Sequence, residues 1–387
     1  MHTLSLNKTA YPFKENRYPV LEISEKALND NFGLIKKITG SNVKILIPVK
    51  ANAYGCGISE MMPFFQKVKP EYLGVANPYE GYLVRQYGWK GKILNMGGFF
   101  DETADYFTDY DIIPSITDLW QIETLNQIAK RNDKQTEIHI KLDCGMGRIG
   151  ILPEDVSAMI SLLKESVNLK VTGIFTHFPS SNDIDAESNK KIMINFMEYS
   201  GKIIDTLKLV RREVVLHSAN SYSVMLNPDS HLDMVRPGLC FYGYFYNTSD
   251  RDHLYAEFPF EPCLSLTANP ISIRHLPQGH NISYGETCHV TDDSLSVGVL
   301  PLGYADGIPR HLSNNISFQG HPLLGRVTMD QIIIGGLTRL SDSVKLLGTG
   351  SPPLERWADL ASTVSYEIMV RFGERIQRKL ILDGSIT

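Results

Sequence analysis

KILIPVKANAYGCG, residues 44–57, runs an apolar stretch directly into a lysine and a glycine-bounded turn. Residues 45–49 have no polar member, so both faces of the segment ask for burial. That is the pattern of a parallel strand inside a sheet, not of a half-exposed one. Seven similar runs follow: YLGVA (72–76), KILNM (92–96), DIIPSI (111–116), TEIHIKL (136–142), VTGIFTH (171–177), EVVLHS (213–218) and LDMVR (232–236). Amphipathic stretches separate them, including residues 117–132, 153–166 (with Pro153 in the first turn) and roughly 184–208. Eight strands joined by crossovers close a β/α barrel of the TIM type in about 200 residues. The count alone leaves an open doubly wound sheet as the rival. One more strand–helix pair, residues 18–38, precedes the series.

Beyond about residue 255 the texture changes. SLSVGVLPLG, HPLLGRVTMDQIIIGGL and SVKLLGTG alternate around Gly and Pro turns, and helical periodicity returns only at 364–378. The expected architecture is therefore α/β. An eight-stranded barrel occupies 1–255, and a mostly β C-terminal domain occupies 256–387.

Composition narrows the function classes. The 387 residues are 43% hydrophobic and 21% charged, with 38 Lys and Arg against 43 Asp and Glu. A net charge of −5 and no basic run argue against a nucleic-acid binder. No stretch approaches 18 apolar residues, so no membrane span is expected. The N-terminal residues lack the apolar core of a signal peptide. Five widely spaced cysteines (56, 144, 240, 263 and 288) contain no CxxC pair. That argues against a disulfide framework or a structural zinc site, and points to a cytoplasmic protein with no bound metal.

In a β/α barrel the reactive groups gather at the carboxyl ends of the strands. Lys50, Arg148, His177, His217 with Ser218, and Arg236 all fall at or just past such ends. Lys50 is either a lysine snorkelling out of a strand or an amine whose pKa falls at a desolvated mouth, ready to form a Schiff base with an aldehyde. Tyr54 can donate to a phosphate from the following turn. Gly145, Gly147 and Gly150 spell G-x-G-x-x-G between a strand and a helix, the dinucleotide fingerprint, although on the fifth strand. The plainer reading is a tight loop that aims Arg148 into the mouth, with Lys141 nearby. Arg236 stands between a buried strand and a Pro-Gly turn and needs an acceptor: a carboxylate, a phosphate or a ring nitrogen. The N–H groups of Gly238 and Leu239 can form an anion nest, and Ser221 is a further phosphate donor. Tyr284, Met329 with Asp330, and Tyr366 stand out in the C-terminal part.

Taken in order, VKANAYGCG, KLDCGMGRIG, THF, SAN, VRPGLCFYG, SYGET, LPLGYADGIPR, GRVTMDQ and SYEI resemble the alanine racemases from about residue 18 to 380. The resemblance implies a pyridoxal-phosphate isomerase that interconverts L- and D-alanine through an external aldimine. Lys50 would carry the cofactor as an internal aldimine and act as one base. Tyr284, from the partner subunit of a homodimer, would be the other. Tyr54, Ser221, Gly238, Leu239 and Tyr366 would hold the phosphate. Arg236 would face the pyridine nitrogen, and His177 would link it to Tyr284. Arg148 and Met329 would contact the substrate carboxylate, Asp330 would support them, and Lys141 would be carbamylated. D-alanine for peptidoglycan is the implied role. Cys56, Cys144, Thr328 and Pro179 depart from the common motif. The alternatives are a racemase of another small amino acid such as serine, a related decarboxylase with a carboxylate in place of Arg236, a non-catalytic cofactor-binding barrel, and an NAD-dependent dehydrogenase built on the 145–150 glycines.

Overall fold

A computed structural model describes residues 18–183 and 186–383. Residues 1–17, read above for a signal sequence, and the first two residues of the helix expected at 184–208 lie outside the described residues. The extra pair is strand β1 (Val20–Ser24) and the helix Glu25–Thr39, whose start is capped by the Ser24 hydroxyl accepting from the Ala27 N–H at 3.1 Å.

All eight apolar runs form strands: β2 (Lys44–Pro48), β3 (Tyr72–Val75), β4 (Lys92–Asn95), β5 (Ser115–Ile116), β6 (Thr136–Lys141), β7 (Leu169–Phe175), β8 (Val215–His217) and β9 (Met234–Val235). Neighbours pair in parallel, and β2 pairs with β3 on one side and β9 on the other. First and last strands meet, so the sheet is a closed barrel and the open-sheet rival is excluded. Two seams are thin. β4 meets the 111–116 run through the Leu94–Ile113 bridge. β8 meets β9 through the Asp233 N–H, which donates to the Leu216 carbonyl at 3.0 Å. Leu46, Tyr72, Leu94, Ile113, Val215 and Met234 pack as one cluster, drawn from six of the eight runs.

The C-terminal strands are antiparallel. β10 (Leu264–Ala268), β11 (Ser272–Pro277), β12 (Ser294–Leu300), β13 (Ser317–Phe318), β14 (His321–Leu324), β15 (Ile332–Gly335) and β16 (Val344–Leu347) come in chain order. Five of them form a sheet in the order β11-β12-β15-β14-β13, and β10 pairs with β16. Of the helix expected over 364–378 only Ser365–Val370 forms; a separate short helix, Leu354–Leu360, precedes it, and strand β17 (Gln377–Ile381) follows. The second helix ends at Arg371, whose N–H donates to the Ile368 carbonyl.

The chain forms two compact units. One holds residues 22–264, 354–371 and 378–383; the other holds 18–21, 265–353 and 372–377. The boundary expected at 255/256 lies at 264/265, and the C-terminal helices return to the barrel unit. The Ser365 N–H donates to the Tyr246 carbonyl at 3.1 Å, which ties that return down.

Candidate active site

A cavity of about 630 Å³ opens at the strand ends, lined wholly by residues of the barrel unit. Lys50 enters it directly after β2. The next four residues, Ala51 to Tyr54, all have φ between 51° and 56°, one turn of left-handed helix without a glycine. Such a turn costs roughly 1–2 kcal/mol per residue and persists only where its surroundings fix it. Here the Ala51 N–H donates to Glu80 Oε1 at 2.7 Å, and the Ala53 N–H to the Val49 carbonyl at 2.8 Å. The second oxygen of Glu80 accepts from the Ala76 N–H at 2.8 Å, lashing the ends of β2 and β3 together. Burial, then Arg148 and Arg236, lower the Lys50 pKa against the opposing pull of Glu80. Lys141, at the end of β6, is pushed down to about 7, mainly by burial and then by Arg148.

Arg236 leaves β9 across the cavity floor. Nη1 donates to His217 Nδ1 at 2.8 Å. Nη2 donates to the Thr176 and Ser218 carbonyls at 2.7 and 2.9 Å and lies 3.3 Å from His177 Nδ1. Burial lowers its pKa to about 9, still above neutrality, so the guanidinium keeps its charge. An arginine thus stands where the decarboxylase alternative required a carboxylate. His217, expected at the mouth, is instead fully buried inside the barrel, stacked on Phe175 with ring centres 4.7 Å apart. Its Nε2 meets His139 Nδ1 at 3.0 Å. Burial and Arg236 hold His177 and His217 neutral, well below the usual histidine range.

At the opposite end Tyr54, Ser221, Gly238 and Tyr366 line the cavity. Leu239 is fully buried behind them. Among the described residues neither the Gly238 nor the Leu239 N–H donates to another protein group. Tyr54 stacks on Tyr242 at 4.9 Å, and its hydroxyl lies 2.6 Å from where a Cβ on Gly238 would be. Gly238 is thus the one residue that admits the phenol. Burial raises the pKa of Tyr54 and of Tyr366, so both remain O–H donors. Free amides and neutral hydroxyls at one end, an arginine in the floor and a lysine of lowered pKa form a donor set that fits pyridoxal phosphate. Tyr246 and Asn220 also line this end and were not singled out by sequence; the SAN motif was the signal for Asn220.

The 145–150 glycines do not make a phosphate site. Their loop is closed around the Asp143 carboxylate, which accepts from four consecutive amides, Gly145 to Arg148. That removes the basis of the dehydrogenase alternative. Arg148 itself lines the cavity.

Tyr284 lies in the other unit, 72% exposed, on a turn where Ser283 and Gly285 have φ of 63° and 75°. It lines a second pocket with Tyr304, Arg310, Thr328, Met329 and Asp330. Asp330 pairs with Arg375 at 2.6 Å, and Arg375 also grips the buried Asp306 at 2.8 Å. Among the described residues no cluster of three metal-ligating side chains occurs, and no helix is long and apolar enough to cross a membrane.

Comparison with known proteins decides the family. The sequence profile of the alanine racemase N-terminal domain matches residues 23–245, and that of the C-terminal domain matches 263–380. The chain belongs to the alanine racemase family. It is 35% identical to the alanine racemase of Thermodesulfovibrio yellowstonii over 95% of this chain and 99% of that one. With the alanine racemase of Halothermothrix orenii the identity is 33% over 92% and 95%. Among solved structures, alanine racemase of Clostridium difficile 630 superposes with a TM-score of 0.87 at 29% identity, covering 95% of this chain and 98% of that one. The alanine racemases are isomerases dependent on pyridoxal phosphate. Of the departures from the family motif, Cys56 and Cys144 are buried. Thr328 closes its own turn, donating to the Gln331 carbonyl at 2.8 Å.

Proposed function

We propose that the barrel cavity holds pyridoxal phosphate between Arg236 and the Tyr54–Gly238 end, and that Lys50 and Tyr284 exchange the α-proton of alanine on its two faces. The observation that carries this reading is the meeting of Lys50, Arg148, Arg236, Tyr54, Ser221 and Tyr366 on one cavity. When bound, the cofactor supplies an electron sink for the charge left at Cα.

The remaining work falls to the chain. Lys50, with its pKa lowered, anchors the cofactor through Nζ and accepts or returns the proton on one face. The Tyr284 hydroxyl does the same on the other face, as a two-base exchange requires. Arg148 and Met329 bind the substrate carboxylate, with Asp330 in support. Tyr54, Ser221, Tyr366 and the amides of Gly238 and Leu239 hold the phosphate. Arg236 does not pass its proton to the ring nitrogen. Charge at Cα is therefore short-lived, which favours return of the proton to Cα over transamination. His177 braces Arg236 toward Tyr284. Lys141, near neutrality in pKa, adds through its nitrogen to the carbon of CO₂ and releases a proton, and the resulting carbamate gives Arg148 an anionic partner.

Tyr284 is exposed and belongs to a different unit from Lys50. A homodimer in which the partner's Tyr284 completes each cavity satisfies both facts. The enzyme would act in the cytoplasm to supply D-alanine for peptidoglycan. Borohydride reduction of the holoenzyme followed by peptide mapping tests the cofactor assignment: the pyridoxyl group belongs on Lys50, and a label on any other lysine overturns it. Initial rates over a panel of L-amino acids test alanine against serine.

A further inference from the structure

Asp143 does not itself line the cavity, yet the loop carrying Arg148 is built on it. Its Oδ1 accepts from the N–H groups of Gly145, Met146 and Gly147 at 3.1, 2.8 and 3.0 Å. Its Oδ2 accepts from the Arg148 N–H at 2.8 Å. The base of the loop is closed by the Asp143 N–H donating to Ile151 at 3.0 Å and the Ile151 N–H donating to Lys141 at 2.8 Å. Gly145, Gly147 and Gly150 take φ of 140°, 70° and 140°, which lets four successive amides turn inward onto one carboxylate. A Cβ on Gly150 would sit 2.8 Å from the Asp143 nitrogen. This is a nest of backbone donors of the kind that binds phosphates, filled by the chain's own side chain. Asp143 is 7% exposed, and its pKa is lowered because these four donors outweigh the cost of burial.

We propose that Asp143 is the positioning residue of the substrate-carboxylate site. By fixing the backbone N–H of Arg148 it sets the point from which the guanidinium enters the cavity. It acts on binding of the carboxylate and not on the proton exchange. The inference rests on the assignment of Arg148 to the substrate carboxylate.

Asp143→Asn and Asp143→Ala test it. Asn keeps the shape but must turn an NH₂ toward either the Arg148 N–H or the other three amides, so one set of bonds is lost and the fold is spared. Hydrogen exchange of the 144–149 amides reads the loop directly. KM for L-alanine, and the inhibition constant of propionate, a carboxylate without an amine, read the site. The expected result is faster exchange at 144–149. KM and the propionate constant rise together by roughly 10- to 10²-fold, the usual loss for a misplaced binding group, while kcat and the cofactor absorbance hold. In an Arg148→Ala background the Asp143 substitutions should add nothing to KM. Faster exchange with unchanged KM and propionate binding would overturn the proposal, as would an undiminished effect without Arg148. If Arg148→Ala itself leaves KM and propionate unmoved, the Arg148 assignment fails separately, and the exchange data still report whether Asp143 holds the loop.

Discussion

Gly238→Ala should separate the phosphate end of the cavity from the rest of the fold. Gly238 has no left-handed φ, so alanine meets no backbone penalty there. Its new Cβ would lie 2.6 Å from the Tyr54 hydroxyl oxygen and 3.3 Å from Cζ. Reaching an ordinary contact of about 3.5 Å requires one side to give by roughly 0.9 Å. Tyr54 cannot easily do so, being buried, stacked on Tyr242 and fixed in the left-handed turn. Overpacking of this kind costs about 1–3 kcal/mol. At 1.4 kcal/mol per tenfold, that is about a 5- to 150-fold loss of cofactor affinity if the strain is relieved by displacing the phenol from the phosphate. Titrating apoenzyme with pyridoxal phosphate and following the visible band measures it, with thermal midpoints to show that the variant is folded. Tyr54→Phe removes the clashing oxygen together with a phosphate donor, itself a loss of roughly 1.5–3 kcal/mol for a charged partner. In that background Gly238→Ala should cost less than about threefold, because the pair shares one contact. An affinity within twofold of wild type for Gly238→Ala alone, or a loss that persists undiminished without the Tyr54 hydroxyl, would refute the reasoning.

Other expectations are equally direct. Lys50→Ala and Tyr284→Phe should each lose roughly 10²–10⁴ in rate. Mixed and reassociated, they should recover up to about a quarter of wild-type activity, since half the symmetric dimers become mixed and each then holds one intact site. No recovery after proven subunit exchange would place Tyr284 in cis or outside the reaction. Arg236→Glu, which offers the ring nitrogen a proton, should slow racemisation, bring a new long-wavelength absorbance with alanine and increase transamination; an unchanged spectrum and product ratio would count against the neutral-ring argument. The Lys141 amine, lowered to about 7, is neutral above that pH and protonated below it. Carbamate occupancy should therefore rise as pH climbs through about 7 and fall as it drops, seen as a ¹³C resonance from labelled bicarbonate that Lys141→Arg abolishes. Absence of that resonance at pH 8 would remove the carbamate.

The barrel was legible in the sequence because parallel strands buried on both faces leave no polar alternation, and runs such as 44–50 and 171–177 have none. The placement of Lys50, Arg148 and Arg236 was legible too, since a side chain just past a barrel strand faces the mouth whatever the helices do. Facing direction within a strand was not. A bulge between Ile138 and His139 shifts the β6–β7 register, and period-two counting fails across such a step. His139, just past that step, meets His217 in the barrel interior, where the sequence placed His217 at the mouth.

The ANAY turn shows the same limit at closer range. Apart from Asn52, nothing in Ala-Asn-Ala-Tyr favours a left-handed conformation, and the propensity of the alanines and the tyrosine opposes it. Glu80, 29 residues further on, supplies the Ala51 bond that helps hold it, and so Tyr54 reaches Gly238. Likewise nothing in the sequence singled out Asp143, on which four amides converge, and Tyr366 read as part of the β domain until its helix returned to the barrel unit. The chain by itself determined which segments are strands and which residue types stand at their ends, because burial and turn chemistry act over a few residues. Only the tertiary structure decided which donors converge, because a strained turn, a bulged register and a returning helix are each held by partners distant in sequence.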